Sequence, residues 1–324
     1  MEVWAILLAF VVTVAACGAL LRAAKHLDLF DVPNQRSAHV RPVPRGGGLG
    51  IGAGCIAALL LLSAGGTTLV APYAMLLSIA GALMIAGVLD DRYGLSVKLR
   101  LPLYALACLL ATWLLVDGAL PLWLTVAAAI YALWLLNLFN FMDGIDGIAA
   151  AEAGFVFLAA ALLALWRGAE GIFPLLCLLL ATACVAFLHW NWSPARLFMG
   201  DVGSIPLGFL LAVFSLQGEL SGQLPLVSWL ILLAVFIGDA TYTLAWRALN
   251  GEQVTAAHSR HGYQRLARHW GSHGKVVMLM ILYNTLWLLP LAVAALHFPQ
   301  WAWACVLGAY LPLLTLRLKA DKLP

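Results

Sequence analysis

Leu120-Pro-Leu-Trp-Leu-Thr-Val-Ala-Ala-Ala-Ile-Tyr-Ala-Leu-Trp-Leu-Leu-Asn137-Leu-Phe-Asn140-Phe-Met-Asp143-Gly-Ile-Asp146-Gly147 is the stretch on which the fold turns. Its first part carries no charge and is long enough to cross a hydrocarbon core of roughly 30 Å as a helix. The apolar residues are uninterrupted instead of alternating with polar ones, which predicts a helix whose backbone satisfies itself and not a barrel strand. The second part places four acid or amide side chains, Asn137, Asn140, Asp143 and Asp146, directly after that span.

The same pattern recurs along the chain. Of 324 residues, 64% are hydrophobic and 10% charged, and the mean hydropathy is +0.96, far from the balance of a soluble domain. Spans are expected near about 2–21, 46–64, 69–89, 101–117, 120–139, 153–167, 172–190, 204–218, 225–246, 275–296 and 300–316. The prediction is therefore an all-α, polytopic integral membrane protein with about 11 transmembrane helices. Residues 1–324 are expected to form one transmembrane domain. Five polar loops fall on one side, at about 22–45, 90–100, 140–152, 191–203 and 247–274. That side holds 17 of the 18 Lys and Arg residues, leaving only Arg167 on the other. Basic residues mark the cytoplasmic face, so the N-terminus is expected in the periplasm and the C-terminus in the cytoplasm.

The start Met-Glu-Val-Trp lacks a basic n-region, so the first span is expected to be retained. All six cysteines fall inside spans without metal-type spacing. The pI of 8.6 arises from the loops and implies attraction to anionic headgroups and phosphates, with no nucleic-acid partner. Short outer loops leave the chemistry to the five basic ones. A lipid-carrier transporter or flippase is the competing class, but its polar residues belong at the bilayer midplane on broken helices. Here they gather at one face.

The first loop ends in Arg41-Pro-Val-Pro-Arg45-Gly-Gly-Gly, where a cluster of arginines with His39 suits phosphate. Asp90-Asp91 open the second. Adjacent carboxylates repel unless water, a basic neighbour or a divalent cation offsets them. Lys98 and Arg100, close to the bilayer surface, suit a lipid phosphate. In the third loop Asp143 and Asp146 face one way across a helical turn, and their oxygens suit Mg²⁺, although N-capping of the next helix uses the same residues. The fourth carries Trp190 and Trp192 as interfacial anchors, then Asp201, a lone acid that a metal would explain. Asp239, inside the ninth span, either supports the site or makes a structural pair. The fifth holds His258, His261 and Arg265, donors for a diphosphate and too few ligands for Zn²⁺.

In order, these motifs resemble the polyprenyl-phosphate N-acetylhexosamine-1-phosphate transferase family, of the glycosyltransferase family 4 type. The resemblance rests on Pro33-Asn-Gln-Arg-Ser-Ala-His39 with Pro44-Arg-Gly-Gly-Gly48, Asp90-Asp91 with Lys98, and Asn137-x-x-Asn140-x-x-Asp143-Gly-Ile-Asp146-Gly147. It continues in Asn191 with Phe198-Met-Gly-Asp201-Val-Gly-Ser204 and in the fifth-loop histidines. It implies an enzyme of the bacterial cytoplasmic (inner) membrane. A UDP-N-acetylhexosamine and undecaprenyl phosphate would react at the cytoplasmic face, giving polyprenyl-diphospho-sugar and UMP with Mg²⁺, or Mn²⁺ as a substitute. By motif position, Asp201 is a metal ligand, and Asp90 and Asp91 act on the lipid phosphate or join the metal. Asn137, Asp143, His258 and His261 are placed in the catalytic set. Gly144, Asp146, Asn191 and Phe198 hold uridine, while Arg45, Lys98 and Arg265 face phosphates. The fifth loop, His258-x-x-His261-x-Tyr-Gln-Arg265, resembles the branch that initiates O-antigen and similar surface polysaccharides, for which GlcNAc, FucNAc and QuiNAc are sugars. Membrane lipids and a homodimer partner complete the expected company.

Overall fold

The computed structural model describes residues 1–27, 30–31, 42–253 and 259–320. His258 and the Pro33–His39 motif lie outside the described residues. The elements run α1 (Glu2–Leu27), β1 (Phe30–Asp31), β2 (Val43–Pro44), α2 (Gly48–Ala64), α3 (Ala71–Tyr93), α4 (Val97–Val116), α5 (Leu122–Met142), α6 (Ile148–Trp166), α7 (Ile172–Asn191) and α8 (Asp201–Leu220). They continue as α9 (Leu226–Leu232), α10 (Ala234–Leu249), α11 (Gly262–Trp270), α12 (His273–Tyr283), α13 (Leu289–His297) and α14 (Ala302–Ala320). A π-helical turn, Asn284–Leu288, joins α12 to α13 into one span. The fold is all-α apart from an antiparallel pair in which Phe30 faces Pro44 and Asp31 faces Val43.

Among the described residues nine helical spans are long and apolar enough to cross a membrane. A tenth segment, α9 with α10, is bent by 73°, and the 17-residue α2 is a shorter apolar helix. These segments fall where the hydropathy predicts spans. The difference lies in the ninth, expected as one span at about 225–246. It breaks at Leu233, and α10 turns aside to pack Phe236 on Phe139 of α5, ring centroids 5.1 Å apart.

Helix ends follow local chemistry. Pro121 and Pro225 immediately precede α5 and α9, where their missing N–H costs nothing. Gly94, at φ 64°, closes α3 in a left-handed conformation that suits glycine. The central helix is α8, with 83% of its apolar stretch buried against 17% for α14. Close backbone approach makes that centre possible. A Cβ on Gly48 would lie 2.3 Å from the Cα of Gly203, and one on Gly87 would lie 2.5 Å from the Cα of Val202. Small residues at such crossings are how membrane helices gain packing where water supplies no hydrophobic drive. The start of α8 is thereby wedged between α2 and α3.

The two ends of the bundle differ in chemistry. Met1 packs beside Gly65 at one end, whereas Arg317, in the last turn of α14, bonds to the carbonyl of Arg260 at the other. The start of α1 and the end of α14 thus lie at opposite ends of the bundle. Arg167, at the C-terminus of α6, lies at the end away from Gly147.

Candidate active site

Wedging α8 against α3 brings Asp91 to the first turn of α8. Its Oδ1 accepts the N–H of Asp201 at 3.2 Å and its Oδ2 that of Val202 at 3.1 Å. Arg45 stands 3.7 Å away. A carboxylate at a helix N-terminus satisfies orphan donors and meets the positive end of the helix dipole. Asp90 points elsewhere. Its Oδ1 accepts the N–H of Leu95 at 2.7 Å, and its Oδ2 accepts from Nη1 of Arg100. The same Nη1 lies 3.2 Å from Oδ2 of Asp201, whose Oδ1 accepts from Asn140 at 2.9 Å. The carboxyl groups of Asp90 and Asp201 are within hydrogen-bonding reach of each other. Arg100 and Asn140 therefore compensate two acids that would otherwise repel.

This cluster borders an apolar cavity of about 590 Å³ between α4, α5 and α10. Arg100, Asn137 and Asn140 form its polar part, while Leu101, Ile130 and Trp134 line the rest. Asn137 donates its own amide to the carbonyl of Leu133 at 2.7 Å. Thr241, Leu244, Ala245 and Ala248 of α10, beyond the bend at Leu233, complete the cavity's wall.

The turn after α5 is fastened from several sides. Asn191 accepts from the N–H of Gly147 at 3.0 Å and donates to the carbonyl of Leu197 at 3.0 Å, so both of its polar atoms are engaged. Asp146 accepts from the N–H of Ala195 at 3.1 Å and pairs with His273 at 3.2 Å. Burial pushes its carboxyl upward, but the hydrogen bond and charge of His273 and the Ala195 N–H outweigh this and hold it below the usual range. Asp143, at the end of α5, is different. Burial first and the charge of Asp91 second push its carboxyl up to about 7. Phe198 contributes backbone, donating to the carbonyl of Pro44 at 2.8 Å and accepting from Gly47 at 2.9 Å. This ties the fourth loop to the first.

The fifth loop reaches the site through α11. Asp239 accepts the N–H groups of Gly262 at 2.8 Å and Tyr263 at 3.0 Å, and it pairs with Arg317 at 3.1 Å. Thr243 also donates to Asp239 at 3.3 Å, and the Arg317 pair together with the two N–H groups seats α11. From there the Tyr263 hydroxyl donates to the carbonyl of Phe141 at 3.1 Å. Tyr263 and Gln264 also stand over the Cα of Gly144, where any Cβ would collide with them. His261 is 1% exposed at the start of this helix, stacked on Tyr263. Burial, with the charges of Arg317 and Arg247, outweighs Asp239 and holds its imidazole below the usual value. Arg265 lies in the same helix, whereas Lys98 is exposed in the first turn of α4. The structure thus gathers Asp90, Asp91, Asp201 and Arg45. It brings Asp143, Gly144 and Asp146 to the adjoining turn, and sets His261 beside the Asp239–Arg317 pair.

Residues 73–219, which include the acids of α3, the turn after α5 and the start of α8, match the family described as Glycosyl transferase family 4. A protein of Bacillus subtilis (strain 168) named "Probable undecaprenyl-phosphate N-acetylglucosaminyl 1-phosphate transferase" is 30% identical over 275 residues, covering 81% of this chain and 76% of that one. The chain belongs to glycosyl transferase family 4. Other relatives are a "Decaprenyl-phosphate N-acetylglucosaminephosphotransferase" of Mycobacterium tuberculosis (strain ATCC 25618 / H37Rv), 28% identical over 94% of this chain and 85% of its own. An "Undecaprenyl-phosphate alpha-N-acetylglucosaminyl 1-phosphate transferase" of Escherichia coli (strain K12) is 27% identical over 86% and 81%.

For this family 4 member the donor set decides what cation fits. Among the described residues no three His, Cys, Asp or Glu side chains form a protein-only metal cage. Asp91 has committed both oxygens to α8. Asp90 and Asp201 remain as two neighbouring carboxylates, the arrangement that suits Mg²⁺ completed by water and substrate phosphate. Arg100 was expected from sequence to face a lipid phosphate, and Asn140 was noted only as part of the motif after α5; their pairing with Asp201 was not expected. Their partners lie 101 and 61 residues away in the chain, so only the spacing of Arg100 from Asp90, ten residues, carried a local signal.

Proposed function

We propose that this protein transfers an N-acetylhexosamine 1-phosphate from a UDP-sugar to undecaprenyl phosphate at the cytoplasmic face of the bacterial inner membrane. The observation that carries this is the Asp90–Arg100–Asp201 cluster at the edge of an apolar cavity. A phosphate on a long isoprenoid chain needs both halves of that arrangement. The names of the relatives support the same acceptor class. The basic residues of the five loops support the orientation.

In this reading an acceptor phosphate oxygen attacks the β-phosphorus of the UDP-sugar. A P–O bond forms to the lipid phosphate as the bond to the bridging oxygen breaks, and UMP leaves with that oxygen. Asp90 orients the attacking phosphate and takes its proton where one is present. Arg100, released from the carboxylates as phosphates arrive, gives its donors to their charge. Mg²⁺, held by Asp201 with Asp90, would supply charge neutralisation to the diphosphate. Asp91 keeps α8 in place, and the turn from Asp143 to Gly147 with α11 forms the floor for the nucleotide. The fifth-loop pattern supports a role in starting O-antigen or related surface polysaccharides, with GlcNAc, FucNAc and QuiNAc as the sugars to test.

The test is Mg²⁺-dependent UMP release in membranes supplied with undecaprenyl phosphate and a panel of UDP-N-acetylhexosamines, with Asp201→Asn as control. Release by the wild type and its loss in the variant is expected. A folded protein that releases no UMP from any of these sugars would refute the reading. Labelled phosphate trapped on Asp90 without acceptor would replace direct attack by a covalent route.

A further inference from the structure

Tyr104 lies one helical turn beyond Arg100 on the same face of α4. It is 3% exposed, and its hydroxyl bonds to no described residue. Four other tyrosines inside the bundle have partners: Tyr131 meets Ser215, Tyr263 donates to Phe141, Tyr283 to Ala309 and Tyr310 to Leu230. Tyr73 shares the lack of a bonded partner among the described residues, but it stands in the first turn of α3, at the far end of that helix from Asp90 and Asp91. Tyr104 stands within electrostatic reach of Asp201, Asp90 and Arg100, yet it gives its proton to neither acid. It also lines the cavity that holds Arg100, Asn137 and Asn140. A buried hydroxyl left without a partner is costly, so a group that fills its hydrogen-bonding capacity is strongly favoured there.

We infer that the Tyr104 hydroxyl donates a hydrogen bond to a phosphate oxygen of the isoprenoid acceptor lipid, fixing how deep the phosphate sits beneath Asp90 and Asp201. This rests on the reading of that lipid as a polyprenyl phosphate. The position selects the acceptor over the nucleotide sugar, because α4 enters the bundle at Val97 and Tyr104 lies deeper than Arg100, beside the apolar wall of Leu101, Ile130 and Trp134. A phenol also suits the charge balance. It offers a donor without adding a charge that would compete with Arg100 for the carboxylates.

The experiment compares wild type with Tyr104→Phe, which keeps the ring and its packing. Binding of undecaprenyl phosphate and of undecaprenol to the detergent-purified proteins is measured by native mass spectrometry, alongside UMP-release kinetics. Loss of one hydrogen bond to a charged group should weaken undecaprenyl phosphate about tenfold and raise its KM by about the same factor. Undecaprenol binding, the KM for the UDP-sugar and kcat should stay within about twofold. Equal weakening of both lipids would assign Tyr104 to packing alone and overturn the inference, as would unchanged affinity for the phosphorylated lipid. If the wild type binds undecaprenyl phosphate but releases no UMP with any UDP-N-acetylhexosamine, the proposed reaction fails while the binding comparison still decides the role of Tyr104. A wild type that binds no lipid phosphate overturns both.

Discussion

Asp91 on α3 holds the helix that begins with Asp201 on α8, accepting the Asp201 N–H at 3.2 Å and the next one at 3.1 Å. Its neighbour Asp90 faces Arg100 instead. Two acids adjacent in sequence therefore do different work, because successive side chains on a helix point about 100° apart. One sets the position of the cluster and the other belongs to it.

That division predicts different failures. Asp91→Ala removes the acceptor for two buried N–H groups and should cost about 1–3 kcal/mol of stability as well as activity. Asp201→Asn keeps the volume and the capped backbone, so activity should fall while the melting temperature of the solubilised protein changes little. Melting curves and UMP release on the same preparations separate the two. Matching losses of stability in both variants would contradict the assignment.

Gly87 tests the wedge beneath this contact. A methyl group there would lie 2.5 Å from Val202 Cα and 2.6 Å from the Asp201 carbonyl oxygen, both backbone atoms that cannot rotate away. Gly87→Ala should force α3 from α8, costing about 1–3 kcal/mol as overpacking does, and should lower turnover although it touches no substrate. Gly81 has open space around it, so Gly81→Ala on the same helix should leave both unchanged.

The spans were legible because a hydrocarbon solvent demands long apolar runs, and each acid was legible because a carboxylate near such a run needs a reason. What joins them was not. Asp91 and Arg100 find Asp201 across 110 and 101 residues, and no local pattern encodes which of two neighbouring acids turns toward α8. The break at Leu233 was equally hidden. It falls inside an apolar run without proline or glycine at the bend, so no local residue signals it. Asp239 was legible as costly, and its partner Arg317 emerges only when α14 closes on α10 and α11.

A Mg²⁺ ion bound as proposed by Asp90 and Asp201 would compete with Arg100 for the same carboxylates. Replacing Arg100 by Gln removes the positive charge that now bridges Asp90 and Asp201. Arg100→Gln should lower kcat by about 10²-fold or more, as loss of a charge-stabilising donor does. The Mg²⁺ concentration giving half-maximal UMP release should fall at the same time, because two uncompensated acids hold a divalent ion more strongly. Chelator titration of both proteins checks this. A half-saturating concentration that stays the same would place the proposed Mg²⁺ site away from Asp90 and Asp201.

Asp143 gives a pH test of the site's stored cost. Burial, and then Asp91, raise its carboxyl to about 7 from the ordinary 3.8. Between those two values the folded state holds a proton that the unfolded chain has released, so stability falls as pH rises through the window. Above about 7 the folded protein carries the whole penalty of a buried charge. Asp143→Asn removes the titration, and its melting temperature should vary less between pH 5 and pH 8 than that of the wild type. At pH 8 the variant should be the more stable by about 1–2 kcal/mol, a shift of this size being worth more in full but reduced by partial solvent access. As pH falls from about 7 toward 3.8 the difference should shrink, and the two should converge only near 3.8, where the unfolded chain also keeps its proton. Parallel pH profiles would show that Asp143 ionises freely in the folded state. A gain in stability coupled to a loss of UMP release would mark the carboxyl as held at a cost for the reaction it borders.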